Sequence, residues 1–334
     1  MKKNYQAAEA RYKKMEYAHC GKSGLKLPRV SLGLWHNFGA AAKLDNMRAM
    51  CRAAFDNGIT CFDIANNYGP PEGAAEENFG LILKKDLFPY RDQLVITSKA
   101  GYGMWPGPYG DLGSRKYLLA SLDQSLKRCG LEYFDIFYHH RMDKDTPLEE
   151  TMGALDQAVK SGKALYAGIS NYDLETTLKA AKILQDLRCP FIVNQIRYSI
   201  FDRSIEKSGL KSEAAKNGIG LVCFSPLAQG LLTSRYLDGV PSDSRIKTDG
   251  RFLTEKNLTP ERLEQIKALD KIAKERGQTL AQMALSWVLR DGDITSVIIG
   301  ASKPSQILEN ADIIQKSKFS QEELSAIDKI ASAD

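Results

Sequence analysis

The sequence predicts an α/β protein built as a closed (β/α)8 TIM barrel with an N-terminal β-hairpin and extra C-terminal helices. Short apolar segments rich in β-branched and aromatic residues recur eight times along the 334 residues, near 30–35, 60–64, 94–98, 133–138, 164–169, 191–194, 219–224 and 294–299. Their near-continuous apolar character suits parallel strands covered on both faces, and amphipathic helical patterns fill the gaps between them. The length exceeds the ~250 residues that such a barrel needs, and the surplus falls where added elements are readable. No compositional shift marks a linker, so residues 1–334 read as a single domain with 1–15 as an N-terminal arm.

The hairpin is expected over residues 17–28, around the turn Gly21-Lys22-Ser23-Gly24. A helix over 114–128 places Leu118, Leu119, Leu122 and Leu126 on one face, and a helix over 147–161 does the same with Leu148, Met152, Leu155 and Val159. Thr146-Pro147-Leu148-Glu149 reads as an N-cap, a proline at the first helical position and the glutamate of a capping box. Thr259-Pro260 and Thr279-Leu280-Ala281-Gln282 repeat parts of that logic. The stretch 226–258 has no clear strand; an added helix is expected over 279–290 and a final one from Ser320 to about Ala331.

Charge and composition narrow the function. Forty-six Lys and Arg stand against 41 Asp and Glu, a net +5 without a block of like charges, which gives no support to a nucleic-acid partner. The amino terminus lacks the apolar core of a signal peptide, and no run reaches the ~18 apolar residues of a membrane span. Six scattered cysteines form no Cys-x-x-Cys and sit near no histidine pair, so they read as reduced, packed thiols of a cytoplasmic protein, with no metal site.

In a barrel of this kind chemistry gathers at the carboxyl ends of the strands. The polar residues that end the apolar runs are Asp63, Lys99, His139 and His140, Ser170 and Asn171, Asn194 and Gln195, then Phe224-Ser225. Each has an ordinary structural explanation alone; together they set an acid, an amine, an imidazole and several amides around one mouth. Tyr68, five residues past Asp63, lies on a loop that reaches the same mouth. A lysine ammonium beside it favours the phenolate and lowers its pKa, and an aspartate keeps that lysine charged. Such a tyrosine suits carbonyl reduction, where the oxygen gains charge and a proton as hydride arrives at carbon. No protein side chain gives hydride, so a nicotinamide cofactor is implied. The G-x-G-x-x-G fingerprint is absent, because Gly101-Tyr102-Gly103-Met104-Trp105-Pro106 lacks its third glycine. Gly300-Ala301-Ser302-Lys303-Pro304, leading into a helix, offers an anion site instead, and a phosphate held there favours NADP(H) over NAD(H).

These residues resemble the aldo-keto reductase family over nearly the whole chain, from about Glu16 to Ile330. Phe62-Asp63-Ile64-Ala65-Asn66-Asn67-Tyr68-Gly69 is similar to the family's Asp and Tyr segment, Ile96-Thr97-Ser98-Lys99 to its lysine strand, and Asp135 to Arg141 to its histidine strand, whose spacing selects His140. The resemblance implies Tyr68 as general acid, Lys99 and Asp63 as its support and His140 as the residue orienting the carbonyl. It implies Ser170, Asn171 and Gln195 at the nicotinamide carboxamide, Phe224 stacked on the ring, and Ser225, Leu227, Gln229, Gly230 and Arg235 along the diphosphate. Gly300, Ser302, Gln306, Glu309 and Asn310 would hold the 2′-phosphate and adenine, and Trp35 would touch cofactor and substrate alike. Trp35, Tyr68, Trp105, His140 and Arg141 would wall a substrate pocket. Trp105-Pro106-Gly107-Pro108-Tyr109-Gly110 and Ser225 to Leu231 look most like the branch of bacterial L-glyceraldehyde 3-phosphate reductases and potassium-channel beta subunits. That branch implies a small aldehyde substrate, glyceraldehyde 3-phosphate or methylglyoxal among them, and a homo-oligomer. The alternatives are a cofactor-binding regulatory subunit with little turnover, and a barrel hydrolase using Asp63 and His140.

Overall fold

The computed structural model describes residues 5–237, 239–241, 253–313 and 318–332. Strands β1 (Tyr17–His19) and β2 (Lys26–Pro28) pair antiparallel as the expected hairpin. Then come β3 (Val30–Gly33), α1 (Leu44–Asp56), β4 (Cys61–Asp63), α2 (Ala74–Ile82), β5 (Val95–Ala100), α3 (Arg115–Cys129), β6 (Phe134–His139) and α4 (Leu148–Lys160). The chain continues through β7 (Ala164–Ser170), α5 (Leu174–Asp186), β8 (Phe191–Arg197), the short α6 (Ser204–Lys207), α7 (Leu210–Asn217) and β9 (Gly220–Phe224). It ends with α8 (Pro260–Glu275), α9 (Leu280–Leu289), β10 (Ile294–Ile299), α10 (Pro304–Ala311) and α11 (Gln321–Ala331).

Strands β3 to β10 form a closed parallel barrel, with β10 pairing β3 to complete the ring. All eight match the expected segments. Their parallel register follows from the helical crossovers, which cover the outer face while a second apolar layer fills the inside. That inner layer includes Cys61, Val95, Ile136, Val222 and Ile298, joined by Cys20 and Leu27 from the hairpin. The hairpin turn presses on the entry to β9: the Lys22 amide donates to the Gly218 carbonyl, 2.9 Å. A Cβ on Gly21, whose φ is +59°, would stand 2.1 Å from that same oxygen, so only glycine fits.

The helix starts at Thr259, Thr279 and Ser320 form as expected, the last two as full capping boxes. The box expected at Thr146 does not form. Pro147 takes the N-cap position without a side-chain bond, and the Thr146 hydroxyl donates to Asp143, 2.6 Å. Pro147 has no side-chain oxygen to accept from the first-turn amides, and Thr146 sits one residue before the cap position. In the N-terminal arm, the Tyr5 hydroxyl donates to Asp56, 2.7 Å, and the Ala7 amide donates to Tyr90, 3.0 Å. Of the strand-free stretch 226–258, residues 238 and 242–252 lie outside the described residues; the rest carries short 3-10 turns such as Ala228–Gly230 and Ser234–Tyr236. Among the described residues no helix is long and apolar enough to cross a membrane.

Candidate active site

Strand register assembles the centre. Asp63 pairs with Thr97 across β4 and β5, and Lys99 lies two residues further along, so all three side chains share the inner face. Lys99 in turn stands opposite Tyr138 on β6, and His140 follows Tyr138 by the same two-residue step. Lys99 is fully buried and its ammonium uses all three donors: on Asp63 Oδ2 at 2.7 Å, on the Ile64 carbonyl at 2.8 Å and on Tyr68 Oη at 3.4 Å. Asp63 Oδ1 accepts from Thr97 Oγ1 and Gln195 Nε2, both at 2.8 Å. Three hydrogen bonds from three different residues thereby fix the orientation of the carboxylate.

The loop that carries Tyr68 is tied to the strand beneath it. The Asn66 amide donates to the Lys99 carbonyl, 3.0 Å, and Asn66 Nδ2 donates to Tyr117 Oη, 3.0 Å, which itself donates to the Tyr102 carbonyl. His140 is held at both ends of its peptide unit: its amide donates to the Ala100 carbonyl, 2.9 Å, and its carbonyl accepts from Asn171 Nδ2, 3.0 Å. Its imidazole lies between two rings, Tyr102 with centroids 4.7 Å apart at 89°, and Tyr68 at 6.0 Å. His139 turns the other way, out of the mouth, and meets Tyr172 Oη at 2.6 Å.

Electrostatics give these groups definite protonation states. Burial, reinforced by the Lys99 and Arg141 charges, pushes the His140 imidazole well below its ordinary value, so it is neutral at pH 7. Burial, with Asp63 and Tyr102 nearby, pushes the Tyr68 phenol well above its ordinary value. The lowering expected from Lys99 acts in the opposite sense. The ammonium 3.4 Å away favours the phenolate. Tyr68 therefore keeps its proton throughout the neutral range. Lys99 is itself pushed down by burial and drawn back up by Asp63.

Tyr68 and His140 open into a cavity of about 1130 Å³ that runs across the barrel mouth. Trp35 and Asp63 line its deep part, next to Ser170, Asn171, Gln195 and Phe224; Lys99 sits behind that wall. Ser225, Leu227, Gln229, Gly230 and Arg235 line the middle, on the loop after β9. Gly300, Ser302, Gln306, Glu309 and Asn310 line the far end, where β10 passes into α10. There Gln306 Oε1 accepts from the Ser302 amide, 2.8 Å, and hydroxyl, 3.2 Å, while Lys303 occupies the N-cap position with no side-chain cap bond.

The family model for aldo/keto reductases matches residues 29–332. The chain belongs to the aldo/keto reductase family. Like the family, it is an oxidoreductase enzyme. This aldo/keto reductase is 56% identical over 322 residues to the L-glyceraldehyde 3-phosphate reductase of Escherichia coli K12, covering 96% of this chain and 93% of that protein. It is 37% identical over 300 residues to a probable voltage-gated potassium channel subunit beta of Arabidopsis thaliana, covering 89% of this chain and 90% of that one.

Two of the expected pocket residues of this aldo/keto reductase stand outside the cavity lining. Trp105 packs on Tyr117, with ring centroids 5.2 Å apart. Arg141 is drawn away by the Gly101 carbonyl, 2.7 Å, and by both oxygens of Asp111, 2.9 and 3.0 Å, and lies over the Tyr102 ring. Asn37 and Arg197 also line the cavity, and neither was among the expected site residues. Arg197 was legible: it follows Gln195 by two residues and so shares its face, provided that the strand runs on past its last apolar residue, as β8 does.

Proposed function

We propose that this aldo/keto reductase reduces small aldehydes to primary alcohols with NADPH, glyceraldehyde 3-phosphate and methylglyoxal being candidate substrates. The observation that carries the reading is the buried chain Asp63, Lys99, Tyr68, which presents one phenolic proton to a cavity beside a neutral imidazole. When bound, NADPH supplies a hydride to the carbonyl carbon.

The residues present fit that cofactor. The cavity exceeds the range of roughly 300–1,000 Å³ common for small-ligand pockets, room enough for a dinucleotide and a short substrate together. Ser170, Asn171 and the Oε1 of Gln195 would meet the carboxamide, the Nε2 of Gln195 being engaged by Asp63. Phe224 would cover one ring face, Trp35 and the loop from Ser225 to Arg235 would follow the diphosphate, and Ser302, Lys303, Gln306, Glu309 and Asn310 would surround the adenosine phosphate. A hydroxyl and an ammonium at that far end favour the 2′-phosphate of NADPH.

The protein's own work is acid catalysis. The neutral His140 imidazole donates a hydrogen bond to the carbonyl oxygen and fixes its direction. Tyr68 Oη gives its proton to that oxygen as negative charge develops there. Lys99 stabilises the phenolate left behind, and Asp63 keeps the ammonium in place. The six cysteines are all unpaired and buried, which suits a reducing compartment, and we place the enzyme in the cytoplasm.

The test follows reduced-nicotinamide absorbance with NADPH or NADH and methylglyoxal, glyceraldehyde or glyceraldehyde 3-phosphate, in the wild type and in Tyr68→Phe. The reading expects NADPH consumption that needs an aldehyde and falls at least ~100-fold in kcat without the phenol, with cofactor binding retained. Unimpaired turnover in Tyr68→Phe would overturn the mechanism. Tight NADPH binding with no turnover would favour a regulatory subunit, in the manner of the name that the Arabidopsis relative carries.

A further inference from the structure

The cavity contains a cation for which neither the proton relay nor the cofactor contacts above have a use. Arg197 is the last residue of β8, two beyond Gln195, and its Cα is paired with Phe224 on β9. The pleat therefore sets it directly above the Gln195 and Asp63 floor. Its side chain lines the cavity and is 53% exposed. The guanidinium lies 6.0 Å from the centre of the Phe224 ring. Its carboxylate neighbour is Asp202, 4.0 Å away, too far for a hydrogen bond, and the other oxygen of Asp202 already accepts from the Ser204 amide and hydroxyl. Other arginines of this half of the molecule are committed: Arg203 and Arg290 both close on Glu206, at 2.6 and 2.8 Å.

The charge balance of the cavity points the same way. Asp63 is neutralised by Lys99, and the other charged side chains along the lining include Arg197, Arg235, Lys303 and Glu309. Two of those cations are at the middle and far end; Arg197 alone stands next to the ring-stacking position. A planar guanidinium with five N–H donors matches the oxygens of a phosphoryl group in paired geometry, and a neighbouring aromatic face helps to fix its plane.

We propose that Arg197 is a phosphoryl-binding residue, donating paired hydrogen bonds to an anionic phosphoryl group of the ligand in the cavity. Two ligands carry that chemistry at this depth: the diphosphate of the dinucleotide and the phosphate ester of a phosphorylated aldehyde. The identity of the ligands rests on the function proposed above; the assignment of the cation rests on its position alone.

The experiment compares the wild type with Arg197→Gln and Arg197→Lys in three measurements. Thermal shift with inorganic pyrophosphate reads the cation without any turnover. Quenching of tryptophan fluorescence by NADPH gives the cofactor Kd. The ratio of KM for glyceraldehyde 3-phosphate to KM for glyceraldehyde isolates the ester. Arg197→Gln is expected to abolish the pyrophosphate shift, and Arg197→Lys to restore part of it. A loss of roughly ten- to a hundredfold in NADPH affinity assigns the diphosphate as source; a similar rise in the KM ratio at unchanged NADPH Kd assigns the substrate ester. Pyrophosphate shift, Kd and KM ratio all within twofold of wild type would overturn the proposal. If no aldehyde is turned over by the wild type, the pyrophosphate and NADPH measurements still decide the role of Arg197, while the reductase reading alone falls.

Discussion

Lys99 and Asp63 face each other from adjacent barrel strands with Nζ and Oδ2 2.7 Å apart, and both side chains are buried. An ion pair so placed repays its desolvation only while both members are present. Lys99→Met should therefore cost about 3–5 kcal/mol of stability, read from urea unfolding. Adding Asp63→Asn should recover part of that loss, because the orphaned charge is gone. Strictly additive losses in the double variant would show that the two groups are not coupled.

The protonation states of the mouth predict a broad pH plateau. Tyr68 stays protonated beyond its ordinary value of 10.0, and His140 stays neutral below its ordinary value of 6.5. With kcat/KM for an aldehyde measured at constant ionic strength, the profile should be flat between those two limits. An inflection near pH 8 or 9 that Tyr68→Phe removes would mean that Lys99 lowers the phenol after all.

Stability should carry the mark of the other histidine. Burial pushes His139 from 6.5 down to about 4, so the folded state resists a proton that the unfolded chain accepts. A depressed folded-state pKa gives stability that is fully present above pH 6.5 and is lost as pH falls toward 4, here about 3 kcal/mol. His139→Gln removes this contribution and the bond to Tyr172 together. It should lower stability at pH 7 but flatten the decline between pH 6.5 and 4, as followed by urea midpoints. Parallel declines in both proteins would refute the assignment to His139.

The elements most legible in the sequence were those fixed by local pattern. The barrel strands show as apolar runs because helices cover one side of each and packed side chains the other, and the caps at Thr279 and Ser320 need only residues within one turn. Asp63, Lys99 and His140 were legible because a strand's end is a place as well as a residue. What failed was decided by exact position and by partners that the local pattern does not name. The helix after Thr146 starts one residue later than the pattern suggests, with Pro147 at its cap, and the Thr146 hydroxyl donates to Asp143. Arg141 follows His140, yet Asp111, thirty residues earlier, turns it outward. The proximity of Tyr68 to Lys99 could be inferred from spacing, but the cost of burying the phenol depends on every atom packed around it.

The hairpin that closes the amino end of the barrel has a consequence for traffic. Cys20 and Leu27 join the same apolar layer as Val95, Ile136 and Val222, which underlies the polar centre. In the proposed reaction, ligands filling the mouth would leave the lysine, the phenol and the carboxylate as a closed proton inventory, so that the proton spent on one turnover would be replaced only after the mouth clears.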